Sequence, residues 1–198
     1  MQTDTRSALI DRATELVRQR GYAAFSYADL SEAVGIRKPS IHHHFPVKED
    51  LGAAIVEVYA RRFGERLVAI AAATDEPLTR LETYAGLYRE GLASGQGCLC
   101  GVLASEVAVL PPRVRAGVEA FFAANLRWLE RVLDEGRQHG DGRGSSLRRD
   151  LDPRREARTV LAALQGAMFV ALALGTPENF DDAAAGLLAG LSATARAQ

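Results

Sequence analysis

Three groups of residues in this chain have the types and spacing to do chemistry. The first is basic and hydrogen-bonding: Arg37, Lys38, Pro39, Ser40, His42, His43, His44 and Lys48, with Ser26 and Tyr27 upstream. No carboxylate interrupts 37–48. Arginine and lysine at a helix start can reach guanine edges. Serine, tyrosine, histidine and lysine suit phosphate oxygens. We read Arg37, Lys38 and Ser40 toward bases, and Ser26, Tyr27, His42, His44 and Lys48 toward phosphates. Three consecutive histidines on a helix point about 100° apart and cannot converge on one ion, so no metal site is expected there; no cofactor is expected either. Their ordinary pKa near neutrality raises a lesser expectation, that DNA contact responds to pH.

The second group is Cys98 and Cys100. Thiol chemistry needs an accessible thiolate, its pKa lowered by a cation or a helix N-terminus. No Lys or Arg lies between Arg89 and Arg113, which leaves a helix start near Val102 as the local source. A bond between the two sulfurs would close a strained ring, so adduct formation or an intersubunit bond is the expected chemistry. Buried cysteine is also an ordinary small hydrophobe. The third group is Tyr84, Tyr88, Phe121, Phe122, Asn125, Trp128, Met168 and Phe169. Aromatics around one amide suit a small, mostly apolar ligand, and equally a plain core. Glu106 and Gln165 are candidate polar handles.

Helices must position all of these. Alanine and leucine dominate without β-branched alternation, which predicts an all-α protein. Ser26 and Asp29 have capping-box spacing, Gly35 ends that helix, and Pro39 suits the first turn of the next. Ile36, Ile41 and Phe45 face inward. This is a helix-turn-helix, whose second helix enters the DNA major groove. A first helix is expected over 5–20 after a loose terminus, with Tyr22 and Phe25 beneath the pair. Further helices are expected over about 48–73, 78–93, 102–109, 113–138, 153–174 and 180–195, nine in all, with a flexible loop at 140–146. The expected domains are 1–50, which bind DNA, and 51–198, which bind effector and dimerise, joined by the helix at 48–73.

The 198 residues are 47% hydrophobic, enough for a packed core, and carry a net charge of −1. Two cysteines, no signal-peptide pattern and a longest apolar run of about ten residues at 166–175 point to the reducing cytoplasm and away from a membrane. The last two helices are rich in small residues, among them Gly166, Ala167, Gly186 and Gly190, and suggest an interface between subunits.

Residues 5–62 resemble the DNA-binding domain of TetR-family transcriptional regulators. The resemblance rests on Ala13, Leu16, Gly21 and Tyr22, on S-Y-A-D-L-S-E-A-V-G-I, and on K-P-S-I-H-H-H-F-P-V-K-E-D-L, where Lys38, Ser40, Ile41, His44, Phe45, Lys48 and Leu51 match the family pattern. His42 departs from it, since the family most often has Tyr there. The resemblance implies a repressor, a double-stranded operator, and a homodimer through a four-helix bundle of the last two helices. It implies release by a small molecule. Some members also use a cysteine in a similar G-C-L segment to sense electrophiles. A small all-α thiol enzyme or oxidoreductase using Cys98 and Cys100 is the alternative. No P-loop, dinucleotide fingerprint or Ser/His/Asp arrangement accompanies it.

Overall fold

The computed structural model describes residues 5–138 and 147–193. The expected terminus at 1–4, the loop at 140–146 and the end of the last helix at 194–195 lie outside the described residues. Among the described residues there are nine helices: α1 (Thr5–Arg20), α2 (Tyr27–Val34), α3 (Lys38–His44), α4 (Lys48–Ala73), α5 (Pro77–Ala93), α6 (Leu99–Ser105), α7 (Pro112–Gln138), α8 (Pro153–Leu174) and α9 (Glu178–Leu191). The all-α expectation holds.

Local chemistry sets most boundaries. The Ser26 hydroxyl accepts from the backbone of Ala28 and Asp29, and the Asp29 carboxylate accepts from the Ser26 N–H at 2.8 Å, a complete capping box. Gly35 ends α2 at φ +75, where a side chain would be strained. Asp152 caps α8 by accepting from the N–H groups of Arg154 and Arg155, with Pro153 in the first turn.

Two helices differ from their expected spans. The sixth helix, expected over about 102–109, forms at Leu99–Ser105. Cys98 takes the N-cap position, Gly101 stays buried inside the helix, and Glu106 turns its N–H back to Leu103 O at 3.0 Å. The ninth helix stops at Leu191 because Ser192 is extended and pairs with Leu147, while the Arg148 N–H bonds Leu191 O at 3.0 Å.

The chain forms two compact units, Met1–Phe63 with Cys98–Phe122, and Gly64–Gly97 with Ala123–Gln198. Helices α4 and α7 contribute to both. This division cuts across the expected domains at 1–50 and 51–198, because 98–122 packs with the N-terminal helices.

In the first unit Leu9, Ile10, Ala13, Leu16 and Val17 of α1 are buried, as are Leu30, Ile41, Phe45, Leu51 and Ile55, and α1 packs on α2. Segment 98–122 closes this core. Gly52 leaves room for the Tyr22 ring and Val114, and Gly117 for Val56. In the second unit α8 packs along α9, and both pack on α5. Arg80, 8% exposed, ties this unit internally. Its guanidinium donates to the carbonyls of Ala71 and Thr74 and to the carboxylates of Asp75 and Glu135.

Helix α8 also corrects a reading. The apolar run expected over 166–175 is part of an uncharged stretch at 159–177, and by length and composition α8 suffices to cross a bilayer. Its stripe of Ala157, Val160, Leu161, Leu164, Met168 and Ala171 is buried within the unit, while Phe169, Val170 and Leu174 are exposed.

Candidate nucleic-acid interface and effector region

Arg37 precedes α3 in an extended conformation, and Lys38, Pro39 and Ser40 form its first turn. All four are exposed, as are His42 and His43. The Arg37 and Lys38 side chains have no partner among the described residues. The face is therefore basic, solvated and uncommitted, which is the state that base and phosphate contacts require.

The remaining candidates are partly occupied by the fold. The Tyr27 hydroxyl donates to Phe45 O at 2.8 Å, tying the start of α2 to the end of α3. Burial, then the charge of Asp50, pushes its phenol up to about 12, so it stays a donor at neutral pH. The His42 ring packs edge-on against Tyr27 at 4.9 Å, and its Nδ1 lies 3.1 Å from Pro46 O, a contact that needs the proton on that nitrogen. His42 thus braces the turn after α3. His43 and His44 stack edge to face at 5.4 Å.

Lys48 turns inward. Its ammonium donates to Tyr22 O at 2.6 Å and lies 4.5 Å from the Tyr22 and Phe25 ring centres. Burial lowers its pKa, with Glu106 and Asp29 acting the other way. In this geometry Lys48 supports the α1–α2 turn instead of reaching for phosphate. The Ser26 hydroxyl is likewise engaged in its cap, and the Asp29 carboxyl is held below its usual range chiefly by the Ser26 hydroxyl.

The effector candidates fall in different compact units. Tyr84, Tyr88, Asn125, Trp128 and Met168 are buried in the second. Tyr84 donates to Asn125 Oδ1 at 2.9 Å, so Tyr88 must donate to Tyr84 across their own 2.9 Å contact. Trp128 stacks on Tyr84 at 5.3 Å. Gln165 of α8 has both side-chain polar atoms buried without a partner among the described residues. Phe169 is 37% exposed and belongs to the outer face of α8.

Cys98, Cys100, Phe121 and Phe122 belong to the first unit. Cys98 and Cys100 are both buried and unbridged. The Tyr59 hydroxyl lies 3.6 Å from Cys98 Sγ as donor, and Tyr59, Phe63 and Phe121 cluster with ring centres 5.2–6.2 Å apart. Burial, with Cys98 adding to it, pushes the Cys100 thiol up, the reverse of the lowered pKa that a sensor needs. Reading from sequence missed Tyr59 and Phe63, although their four-residue spacing on α4 was a signal. It also offered Glu106 as an effector handle, whereas this carboxylate accepts from the Ala23 N–H at 3.0 Å.

Two open clefts lie in the second unit, and none of the predicted effector residues lines either. One, about 650 Å³, runs between α5 and α9 past Leu78, Ala85, Gly86, Phe180, Ala184 and Leu188. The other, about 570 Å³, is edged by Arg127, Arg131 and Arg154 with Glu130, Asp134 and Asp152. No group of three or more His, Cys, Asp or Glu among the described residues is placed to hold a metal ion.

Comparison with known proteins agrees with this geometry. Residues 9–55 match the family described as bacterial regulatory proteins, tetR family, and residues 77–187 match the tetracyclin repressor-like C-terminal domain. Over 171 residues the chain is 29% identical to the HTH-type transcriptional repressor DhaR of Mycobacterium sp. (strain GP1), which covers 84% of this chain and 82% of that protein. A solved TetR-family regulator from Agrobacterium tumefaciens is 34% identical, covers 95% of this chain and 97% of its own, and superposes with a TM-score of 0.89. The reduced form of E. coli NemR is 25% identical, with a TM-score of 0.81 over 96% of this chain and 98% of its own. The thiol-enzyme alternative finds no support, since these relatives are regulators and both sulfurs are buried. With its helix-turn-helix exposed and both regions matched, the chain belongs to the TetR family and is a DNA-binding transcriptional regulator.

Proposed function

We propose that the protein is a homodimeric repressor that reads a near-palindromic operator with the first turn of α3 and leaves it when an effector binds. The observation that carries the DNA reading is the first turn of α3, with Arg37 and Lys38 exposed and unpartnered among the described residues. Arg37, Lys38 and Ser40 are assigned to bases. His43, His44 and the α2 N-terminus are assigned to phosphates. DhaR and NemR are called transcriptional repressors, and we read the same sign here. The site of action is then the bacterial cytoplasm, where operator DNA is found.

Dimerisation is assigned to α8 and α9. Among the described residues, three of the seven exposed large hydrophobic ones lie on α8, and nothing within 4 Å would meet a Cβ at Gly166, Gly186 or Gly190. Small residues beside open space let a second copy approach closely, which also explains why so apolar a helix needs no lipid. The effector is assigned to the second unit as a small, mostly apolar molecule with one hydrogen-bonding group. The unpartnered Gln165 amide supports this, because a buried amide left unpaired costs about 1–3 kcal/mol. Release through modification of Cys98 or Cys100 would require the first unit to open, because both thiols are buried.

The test is a gel shift on a duplex that the protein itself selects from a random library. Affinity should fall steeply between about 50 and 200 mM salt. Arg37→Ala and Lys38→Ala should each lose about 1–3 kcal/mol of discrimination at a single base position. Absence of any sequence-preferring shift would refute the reading.

A further inference from the structure

The DNA-binding family match ends at residue 55, yet a side chain from outside it grips the turn that carries the reading helices. Helix α6 begins after Cys98 and ends at Glu106. The Glu106 Oε2 accepts the Ala23 N–H at 3.0 Å, across 83 residues of chain. Its Oε1 occupies the space left free at Gly21, where a Cβ would overlap it. Gly21 is therefore constrained twice, by φ +86 and by the carboxylate against it.

The same turn is also held by Lys48 on Tyr22 O, and Glu106 favours the charge on that ammonium. Segment 98–122 grips the unit at a second place. The Arg113 N–H donates to Glu49 Oε1 at 3.1 Å, and its guanidinium to Asp50 Oδ1 at 2.5 Å, at the start of α4. Ser26, the cap of α2, lies only three residues beyond Ala23. A shift of the turn must therefore carry α2 with it, and α3 through the Tyr27 bond to Phe45 O.

We propose that Glu106 is a positioning residue for operator reading: it fixes the Gly21–Ala23 turn, and through it the orientation of α2 and α3. This rests on the reading of the chain as an operator-binding regulator. Glu106 contributes to affinity through the turn, by its bond to the Ala23 N–H. A movement of α6 that displaces Glu106 is felt directly at this turn.

The experiment compares wild-type, Glu106→Ala and Glu106→Gln full-length protein. Operator affinity is measured by fluorescence anisotropy on the library-selected duplex, and amide hydrogen exchange is measured at Ala23 without DNA. Removing a charged acceptor should weaken operator affinity on the order of tenfold and speed Ala23 exchange by a similar factor. Glu106→Gln keeps a carbonyl acceptor and should recover most of both. Non-specific DNA affinity should not change. Wild-type operator affinity in Glu106→Ala overturns the proposal, as does unchanged Ala23 exchange or an equal loss in both variants. If wild-type protein shows no operator preference, the regulator reading fails instead, and the exchange data still decide whether Glu106 holds the turn.

Discussion

At the scale of single residues, environment decides what a side chain can do. Cys98 and Cys100 look like a reactive pair in sequence, but burial makes them poor nucleophiles in the folded chain. A reagent must reach the sulfur, which burial prevents for both, and at Cys100 burial also disfavours the reacting thiolate. Native protein should therefore react with Ellman's reagent on the order of a hundredfold more slowly than protein unfolded in guanidinium, where both thiols react. A thiol titrating natively at the unfolded rate would contradict the structure. If Cys98→Ser and Cys100→Ser variants then release operator normally with the natural inducer, thiol sensing is wrong. Lys48 shows the same principle. Its charge is directed by Tyr22 O and two aromatic rings toward holding a turn.

At the scale of elements, α2 depends on its cap. With eight residues it is too short to be stable alone, so the Ser26–Asp29 box and the buried Leu30 must hold it. Ser26→Ala should cost about 1 kcal/mol of stability. The Asp29 carboxyl is lowered in the folded state, so its contribution is present above the ordinary aspartate value near 4 and is lost as pH falls through the lowered one. The melting-temperature gap between wild type and Asp29→Asn should then be widest at neutral pH and close toward pH 3. A gap constant from pH 7 to pH 3 would show that the box is not ionic. Helix α6 teaches the converse lesson. Its seven residues are placed by what surrounds them, with Cys98 near Tyr59 at one end and Glu106 on Ala23 at the other.

At the scale of the whole molecule, the outer face of α8 carries the dimer assignment. Phe169 and Leu174 are 37% and 62% exposed, so changing them should leave the protomer folded. Phe169→Asp and Leu174→Asp should give monomers in sedimentation at micromolar concentration, with little change in melting temperature. They should also lose most operator affinity, because two linked half-site contacts bind far more tightly than one. A variant that remains dimeric places the interface elsewhere.

Most of the architecture was legible along the chain. Apolar periodicity marked the core faces of α1, α5 and α7, and Ser26, Gly35 and Pro39 marked the turn between α2 and α3, because caps and breakers act locally. The exposed basic character of Arg37, Lys38 and Ser40 could be read the same way, since nothing near them in sequence offers a partner. What only the tertiary structure decided depends on residues far apart in the chain. It buried the two thiols, turned Lys48 inward and split the effector candidates between two compact units. It also brought Glu106 onto a turn 83 residues away. Burial and pairing are properties of packing, and a one-dimensional pattern carries them only where the partners are neighbours.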